Sequence, residues 1–223
     1  MRRITALVFS LPFALAGCGV APDTREPVPR APASSGSGSV NWEKPAARQC
    51  VSELSASGAQ FAPLSDKYYG AGCQALDSVQ LERVGGDLGP LTVTNLGPLA
   101  CPLANIFSGW ARYGVDRAAR QILGSPLVRI ETMGSYSCRN VAGTGRLSAH
   151  SRAEAVDVGA FVLADGRRIS VKNGWNASEK EREFLRVVHR SACKRFGTVL
   201  GPDYNAAHHD HLHLEHGNGS FCR

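Results

Sequence analysis

Residues 148–171, with the sequence SAHSRAEAVDVGAFVLADGRRISV, contain the clearest turn signal in the chain between two strand-like segments. Asp165-Gly166 is typical of a tight β-turn, because glycine accepts the positive φ that such turns require. The flanking segments Ala155–Leu163 and Arg168–Val171 are rich in apolar residues, which favours strands. We therefore predict a β-hairpin, with residues 148–154 forming a loop that leads into its first strand.

Apolar spacing elsewhere predicts helices and further short strands. Leu103–Leu123 has a broad apolar face of helical period, and so does Ser178–Phe196, where Ser178 and Glu181 form a capping box. A shorter helix is predicted over residues 50–57. The remaining predicted strands are Val79–Val84, Leu91–Val93, Leu127–Met133 and His211–Glu215. This pattern predicts an α+β fold in which a small antiparallel sheet is flanked by helices.

The histidines are concentrated near the carboxyl end of the chain. Five of the seven lie within nine residues: His208, His209, His211, His213 and His216. Imidazole nitrogens and a carboxylate oxygen are the ligands that Zn²⁺ takes at ~2.0–2.2 Å, and a catalytic zinc keeps one position for water. Because strand side chains alternate, His211 and His213 are expected on one face.

The rest of the predicted zinc site lies in the loop before the hairpin. His150 and Asp157 are seven residues apart, a spacing that neither a helix nor a straight strand brings easily to one ion. A loop that turns into a strand can bring them together. We therefore expect this pair to lie beside the strand that carries His211 and His213.

Two groups of residues resemble the LAS zinc peptidases, which include lysostaphin-type enzymes, D-Ala-D-Ala metallopeptidases and the hedgehog signalling domain. The first is SxHxxxxAxD and comprises Ser148, His150, Ala155 and Asp157; the second is HxxHxH and comprises His208, His211 and His213. A fuller resemblance is to bacterial extensin-like C-terminal domain proteins. It rests on GSYSCR, DGRxIsV, the LGPxYN turn and DHxHL, and it covers most of residues 50–223.

The resemblance implies a disulfide-stapled LAS/hedgehog-like core and a role for each matching residue. His150, Asp157 and His213 would hold Zn²⁺. His211 would be a general base or transition-state stabiliser, His208 would assist it, and Arg139 would bind a substrate carboxylate or carbonyl. Many LAS peptidases have glycine at the position of Ala153, so an ordinary backbone conformation is expected there.

Other residues near these positions have competing interpretations. His209 shares strand parity with His211 and His213 and could reach the edge of the site, but a solvated loop residue is the favoured interpretation. His189 is interpreted as a helix residue without a role. Asp210 could hydrogen-bond an imidazole, and Glu215 could either orient a ligand or lie at the surface. Arg139 could instead pair with a structural carboxylate.

The amino-terminal residues predict export. Arg2 and Arg3 precede an apolar segment, Ile4–Ala16, which is too short to span a bilayer and is typical of a signal peptide over residues 1–17. Leu15-Ala16-Gly17-Cys18 resembles a lipobox, in which Cys18 is lipidated; ordinary secretion is the alternative. The predicted location is the periplasmic face of the envelope, anchored to a membrane only through this lipid. The outer membrane is favoured because Gly19, rather than aspartate, follows Cys18.

Residues 18–48 are rich in proline, serine, glycine and alanine, which predicts a disordered tether. Residues 49–223 have the length of one domain. Six cysteines remain after Cys18, an even number that predicts disulfides in an exported chain. Proximity in sequence suggests the pairs Cys50–Cys73, Cys101–Cys138 and Cys193–Cys222.

Charge and residue pattern leave three functions open. The net charge is +6, or +4 once Arg2 and Arg3 leave with the signal peptide, and the basic residues are scattered, which does not favour a nucleic-acid partner. The first function is a zinc-dependent peptidoglycan peptidase, a carboxypeptidase or cross-link endopeptidase acting on stem peptides. The second is a non-catalytic, zinc-stabilised cell-wall binding module. The third, a histidine-rich metal-handling protein, would not need the distant pair His150 and Asp157. Oligomeric state is left open.

Overall fold

The predicted hairpin lies in the middle of a large sheet in the computed structural model, which describes residues 44–177 and 179–223. The strands are β1 (Gln60–Pro63), β2 (Lys67–Gly70), β3 (Cys73–Ala75), β4 (Ser78–Gly85), β5 (Pro90–Thr94), β6 (Leu99–Ala100), β7 (Leu127–Gly134), β8 (Ala155–Leu163), β9 (Arg168–Ser170), β10 (Thr198–Leu200), β11 (Leu212–Glu215) and β12 (Phe221–Cys222). The helices are α1 (Pro45–Ala56), α2 (Cys101–Trp110), α3 (Val171–Gly174) and α4 (Glu179–Cys193). The hairpin itself is the antiparallel pair β8–β9.

The main sheet has ten strands, with β1-β4-β5-β7-β8-β11-β10-β12 as its path, β6 beside β4 and β9 beside β8. The prediction of a small, purely antiparallel sheet is therefore wrong. The pairs β5–β7 and β10–β12 are parallel. A parallel pair needs a long crossover, and the helical segment between β5 and β7 provides one. The short strands at the sheet ends carry too few residues to show a periodic pattern.

The predicted helix over Leu103–Leu123 is confirmed, and it begins slightly earlier. It is α-helical over Cys101–Trp110 and continues through π-type segments to Leu123. Gly124 ends it with φ of 73°, the left-handed conformation that glycine adopts at helix ends. Trp110 lies fully buried, and its indole N–H donates to the Val188 carbonyl oxygen of α4 at 3.2 Å.

The second long helix, α4, packs on the same core. Its buried residues are Phe184, Leu185, Val188 and Ala192, spaced as one face of a helix. The aromatic rings of Phe161 from β8 and Phe184 from α4 meet edge to face, with centroids 5.4 Å apart. This packing holds β8 against the helices and so fixes the strand that carries Asp157.

Several sequence predictions fall at the edges of the described region. Helix α1 begins at Pro45, four residues before the predicted domain start. The signal peptide, Cys18 and the tether up to residue 43 lie outside the described residues, as does Ser178 of the predicted capping box. Among the helices of the described ranges, none is both long and apolar enough to cross a membrane.

Three disulfides are present, and one of the three predicted pairs is correct. Cys193–Cys222 joins the end of α4 to β12, as predicted. The other two predicted pairs are wrong: the bonds are Cys50–Cys101 and Cys73–Cys138. Helix α1 packs against α2, which brings Cys50 to Cys101. The β2–β3 hairpin reaches the loop after β7, which brings Cys73 to Cys138. Proximity in sequence did not predict these two disulfides, because each joins elements that come together only in the tertiary structure.

Replacing Cys50 and Cys101 together with serine should lower the free energy of unfolding by about 2–5 kcal/mol, because the bond closes a long loop of the unfolded chain. Denaturant unfolding of the oxidised proteins measures this. The difference should vanish when variant and wild type are compared under reducing conditions. A non-reducing peptide map that joins Cys50 to Cys73 would contradict the assignment.

Candidate metal centre

Asp157 and His213 face each other across two paired strands. β8 and β11 are antiparallel, and Asp157 is directly opposite His213 in their register. Side chains of directly opposed residues lie on the same face of a sheet, with Cβ atoms ~4.5–5.5 Å apart. The Asp157 Oδ1 atom is consequently 2.8 Å from His213 Nδ1. The strand register alone brings together two residues that are far apart in sequence.

His150 reaches the same point from a 3-10 turn, Ala149–Arg152, that precedes β8. The Ser148 hydroxyl caps this turn by accepting a hydrogen bond from the His150 N–H. His150 Nε2 lies 3.2 Å from Asp157 Oδ2 and 3.2 Å from His213 Nδ1. The structure thus brings together all three residues expected to hold a metal.

Ala153 ends this turn in the left-handed region, with φ of 57°. The expectation of an ordinary backbone at this position is therefore wrong. A β-carbon in this region costs about 1–2 kcal/mol, and Ala153 is fully buried, so the surrounding packing maintains the conformation. The left-handed residue reverses the chain between His150 and β8. Such strain is often found next to functional sites.

In both His150 and His213, the outer ring nitrogen, which faces away from Asp157, lies beside a hydrogen-bond acceptor. His150 Nδ1 lies 3.1 Å from the Ser135 carbonyl oxygen, and His213 Nε2 lies 2.9 Å from Glu215 Oε1. If these nitrogens donate, the inner nitrogens of both rings present lone pairs toward Asp157. Ligating histidines in metal sites are oriented by outer partners of this kind. Both imidazoles are buried, so their orientation is also fixed by packing.

The donor set fits a divalent transition metal. Two imidazole nitrogens and one carboxylate oxygen lie within 4.8 Å of one another. A tetrahedral ion with bonds of ~2.0–2.2 Å separates its ligand atoms by about 3.3–3.6 Å, close to the 3.2 Å between the inner nitrogens of His150 and His213. Three protein ligands leave a fourth position open. These residues therefore suit Zn²⁺ with an exchangeable ligand.

The carboxylates around His213 control its protonation. Burial by itself would lower the pKa of the His213 imidazole, but hydrogen bonds and charge from Asp157 and Glu215 raise it to about 9. Burial by itself would raise the pKa of Asp157, but hydrogen bonds from His150 and His213 hold it well below its usual range. The cluster thus favours one positive charge at its centre, which either a proton or a cation supplies.

His211 and His208 lie at the edge of this cluster, each with a nitrogen held by a neighbour. His211 Nδ1 is 2.8 Å from Asp210 Oδ1, and its Nε2 is 3.6 Å from Asp157 Oδ1. His208 Nδ1 is 2.7 Å from Asn205 Oδ1. Burial, helped by the charges of His211 and His213, lowers the pKa of His208 to about 4, so it is neutral at pH 7.

A cavity of about 610 Å³ opens over these residues. Asp157, His208, His211 and His213 line it together with Arg139. The predicted site residues thus all lie around one cavity or directly beneath it, since His150 is buried under Asp157 and His213.

The structure places each residue that had competing interpretations. His209 is exposed and does not line the cavity. Asp210 and Glu215 each bond an imidazole, and the HxHxE alternation could have indicated Glu215. Sequence reasoning missed the Ser135 carbonyl and Asn205, for which only tertiary contact gives a signal.

His189 is not without contacts, because its Nε2 lies 3.2 Å from the Arg223 carbonyl oxygen. It forms a second cluster of potential ligands with Cys193 and Cys222. Both sulfurs are joined in the disulfide, so they are not available as thiolate ligands.

The family model described as "Extensin-like protein C-terminus" matches residues 48–223. The chain belongs to this family. No curated protein and no solved structure matches the chain. Every cavity residue described above lies inside the matched region, so the candidate metal centre is part of the extensin-like domain. The family description names no activity.

Zinc should bind with an affinity that rises about tenfold per pH unit below pH 9, because binding displaces the proton that the raised pKa holds on His213. Calorimetry in buffers of different ionisation enthalpy should show about one proton released per ion at pH 7.5. His150→Ala should abolish high-affinity binding.

His209→Ala is the matched control, since this histidine belongs to the same carboxyl-terminal group as His213 but is exposed and outside the cavity. It should bind zinc as the wild type does. Equal loss of binding in both variants would mean that the carboxyl-terminal histidines bind zinc nonspecifically.

Proposed function

We propose that the extensin-like domain is a zinc-dependent peptidase that hydrolyses stem peptides of peptidoglycan. The observation that supports this most strongly is the convergence of His150, Asp157 and His213 beneath an accessible cavity. The order of the SxH…AxD and HxH residues, which resembles that of LAS zinc peptidases, agrees with it. A zinc ion held by three protein ligands lowers the pKa of bound water to roughly 7 and polarises a carbonyl group.

His211 is suited to move a proton. Its Nδ1 donates to Asp210, which leaves Nε2 free to accept, and that atom points toward Asp157 at 3.6 Å. The Asp210 carboxylate also stabilises the imidazolium that would form. Positioned proton transfer contributes about 10²–10⁴ in rate. His208 is neutral at pH 7 and donates through Nδ1 to Asn205, so its Nε2 is suited to accept a hydrogen bond from an N–H or O–H of the substrate.

Arg139 supplies the recognition of an anionic group. It lines the cavity, and among the described residues no carboxylate lies within ion-pair distance of its guanidinium. The alternative of pairing with a structural carboxylate therefore has no support in this part of the chain. Arginine binds a carboxylate with two parallel hydrogen bonds, and stem peptides carry such carboxylates.

The second candidate is a zinc-stabilised wall-binding module without turnover. A purely structural zinc site is usually closed by four protein ligands. Here three potential ligands converge. Two further histidines, His211 and His208, line the cavity, and one nitrogen of each is held, by Asp210 and Asn205 respectively. This arrangement favours the peptidase.

The cell envelope is the proposed place of action. The lipobox-like segment ending at Cys18 and the proline-rich segment after it support a lipid-anchored domain on the periplasmic side, with the outer membrane favoured. Three disulfides in the domain agree with an oxidising compartment.

His211→Ala should lower kcat for muropeptide cleavage by about 10²–10⁴ while zinc affinity stays close to that of the wild type, because His211 is not among the three convergent ligands. Chromatography of muropeptides digested by zinc-loaded protein, with and without chelator, measures this.

The control is His209→Ala, which should cleave at the wild-type rate. Unchanged muropeptide profiles with zinc-loaded wild type would reject the peptidase and favour the binding module.

Cys18→Ser should release the protein from membranes, because it removes the only residue available for lipidation at the predicted cleavage site. Fractionation followed by carbonate washing measures the distribution. Retention of the variant in washed membranes would show that the lipobox assignment is wrong.

A further inference from the structure

Two exposed aromatic rings form a corner at one end of the cavity. Tyr204 and Phe221 both line it and are 43% and 45% exposed. Their centroids are 5.8 Å apart and their planes are inclined by 84°. Tyr204 also contacts the ring of His208, at 5.6 Å. We call Tyr204 and Phe221 the aromatic corner. Exposed rings on a concave surface next to convergent polar groups are typical of ligand contacts.

Strand pairing, a backbone hydrogen bond and a neighbouring disulfide hold Phe221 in place. β12 pairs in parallel with β10, the Phe221 N–H donates to the Gly197 carbonyl at 3.1 Å, and Cys222 is bonded to Cys193. Gly197 lets the loop between β11 and β12 approach closely, since a β-carbon there would lie 2.6 Å from the Gly217 carbonyl oxygen.

Tyr204 is held through its neighbour Asp203. The Trp175 indole N–H donates to Asp203 Oδ1 at 2.8 Å, and Arg186 pairs with the same carboxylate while stacking on the Trp175 ring. The rings of the aromatic corner are thus positioned before any ligand arrives, which reduces the entropy lost on binding.

The sheet order sets the distance from the corner to the metal centre. The path β8-β11-β10-β12 places Phe221 two strands beyond His213, and the register places it level with Glu215, two residues along β11 from His213. At ~4.8 Å per strand and ~3.3 Å per residue the two backbones are about 12 Å apart, a distance that an extended peptide covers with about four residues. Tyr204 lies nearer, beside His208, so Phe221 marks the part of the corner that contacts substrate farther from the scissile bond.

Charge gives the cavity a direction. Arg139 and Arg146 lie on the loop that leads to His150, at the β8 side, and both line the cavity. A peptide that places its carboxylate on these arginines and crosses the metal centre along the strand order β8-β11-β10-β12 would extend its amino end toward β12. In peptidoglycan the amino end of a stem peptide is joined to a sugar.

We propose, on the basis of the proposed function, that the aromatic corner binds the sugar ring attached to the amino end of the stem peptide. A sugar ring has an apolar C–H face and a rim of hydroxyl groups. The corner offers apolar ring faces with polar neighbours: Tyr204 and Asn205 line the cavity, and the Arg223 guanidinium lies over the Phe221 ring, 5.5 Å from its centroid. The domain would therefore prefer stem peptides still attached to glycan.

The test compares a stem peptide that carries its disaccharide with the same peptide freed of sugar. Zinc-loaded wild type should have a kcat/KM at least about tenfold higher for the sugar-bearing compound. Tyr204→Ala and Phe221→Ala should each reduce this ratio by about three- to tenfold, a size typical of a lost aromatic contact. Tyr68→Ala, which removes an exposed tyrosine on β2 outside the cavity, should keep the wild-type ratio.

Equilibrium binding of both compounds to zinc-free protein, measured by calorimetry, separates this proposal from the peptidase proposal. Tighter binding of the sugar-bearing compound, lost in the two corner variants, supports the subsite even if neither compound is cleaved. Cleavage of both compounds at equal kcat/KM would overturn the subsite and leave the peptidase standing. An equal loss for both compounds in the corner variants would mean that the corner contacts peptide, and would also overturn it.

Discussion

The site depends on three side chains whose electron-pair donor atoms point into one small, buried volume. His150, Asp157 and His213 are brought within hydrogen-bond distance of one another. Buried donors and acceptors without partners are costly, and two imidazole lone pairs with a carboxylate need a positive charge between them. The outer bonds to Ser135 and Glu215 keep the rings from turning away. This geometry therefore favours one positive charge at its centre, carried by a proton on His213 or by a cation.

The sheet supplies this geometry with little freedom. Asp157 and His213 are opposed by strand register, and a slip of one residue would turn either side chain to the other face. His150 depends instead on one strained turn, in which buried Ala153 adopts a left-handed conformation. The backbone is ordinary where pairing positions the side chain, and unusual where a loop must do so.

Disulfides lie next to the loops that complete the cavity. Cys73–Cys138 ties the residue before Arg139 to the β2–β3 hairpin, and Cys193–Cys222 ties the residue after Phe221 to α4. Loops without such links lose more entropy on binding and position side chains less accurately. The covalent links thus support both ends of the cavity rather than only its core.

The sequence alone was sufficient for whatever depends on local periodicity or on residue type. The two long helices and the β8–β9 hairpin could be named from it, because apolar periodicity and turn chemistry are visible in one dimension. The residues His150, Asp157, His208, His211 and His213 could be named because they match the motifs on which the resemblance to LAS peptidases rests. Only the tertiary structure decided the ten-stranded mixed sheet, two of the three disulfides, the Ser135 and Asn205 contacts and the aromatic corner. Each of these depends on elements distant in the chain coming together. Short edge strands, backbone carbonyls and single aromatic residues leave no periodic signal, so their positions follow from packing and strand register.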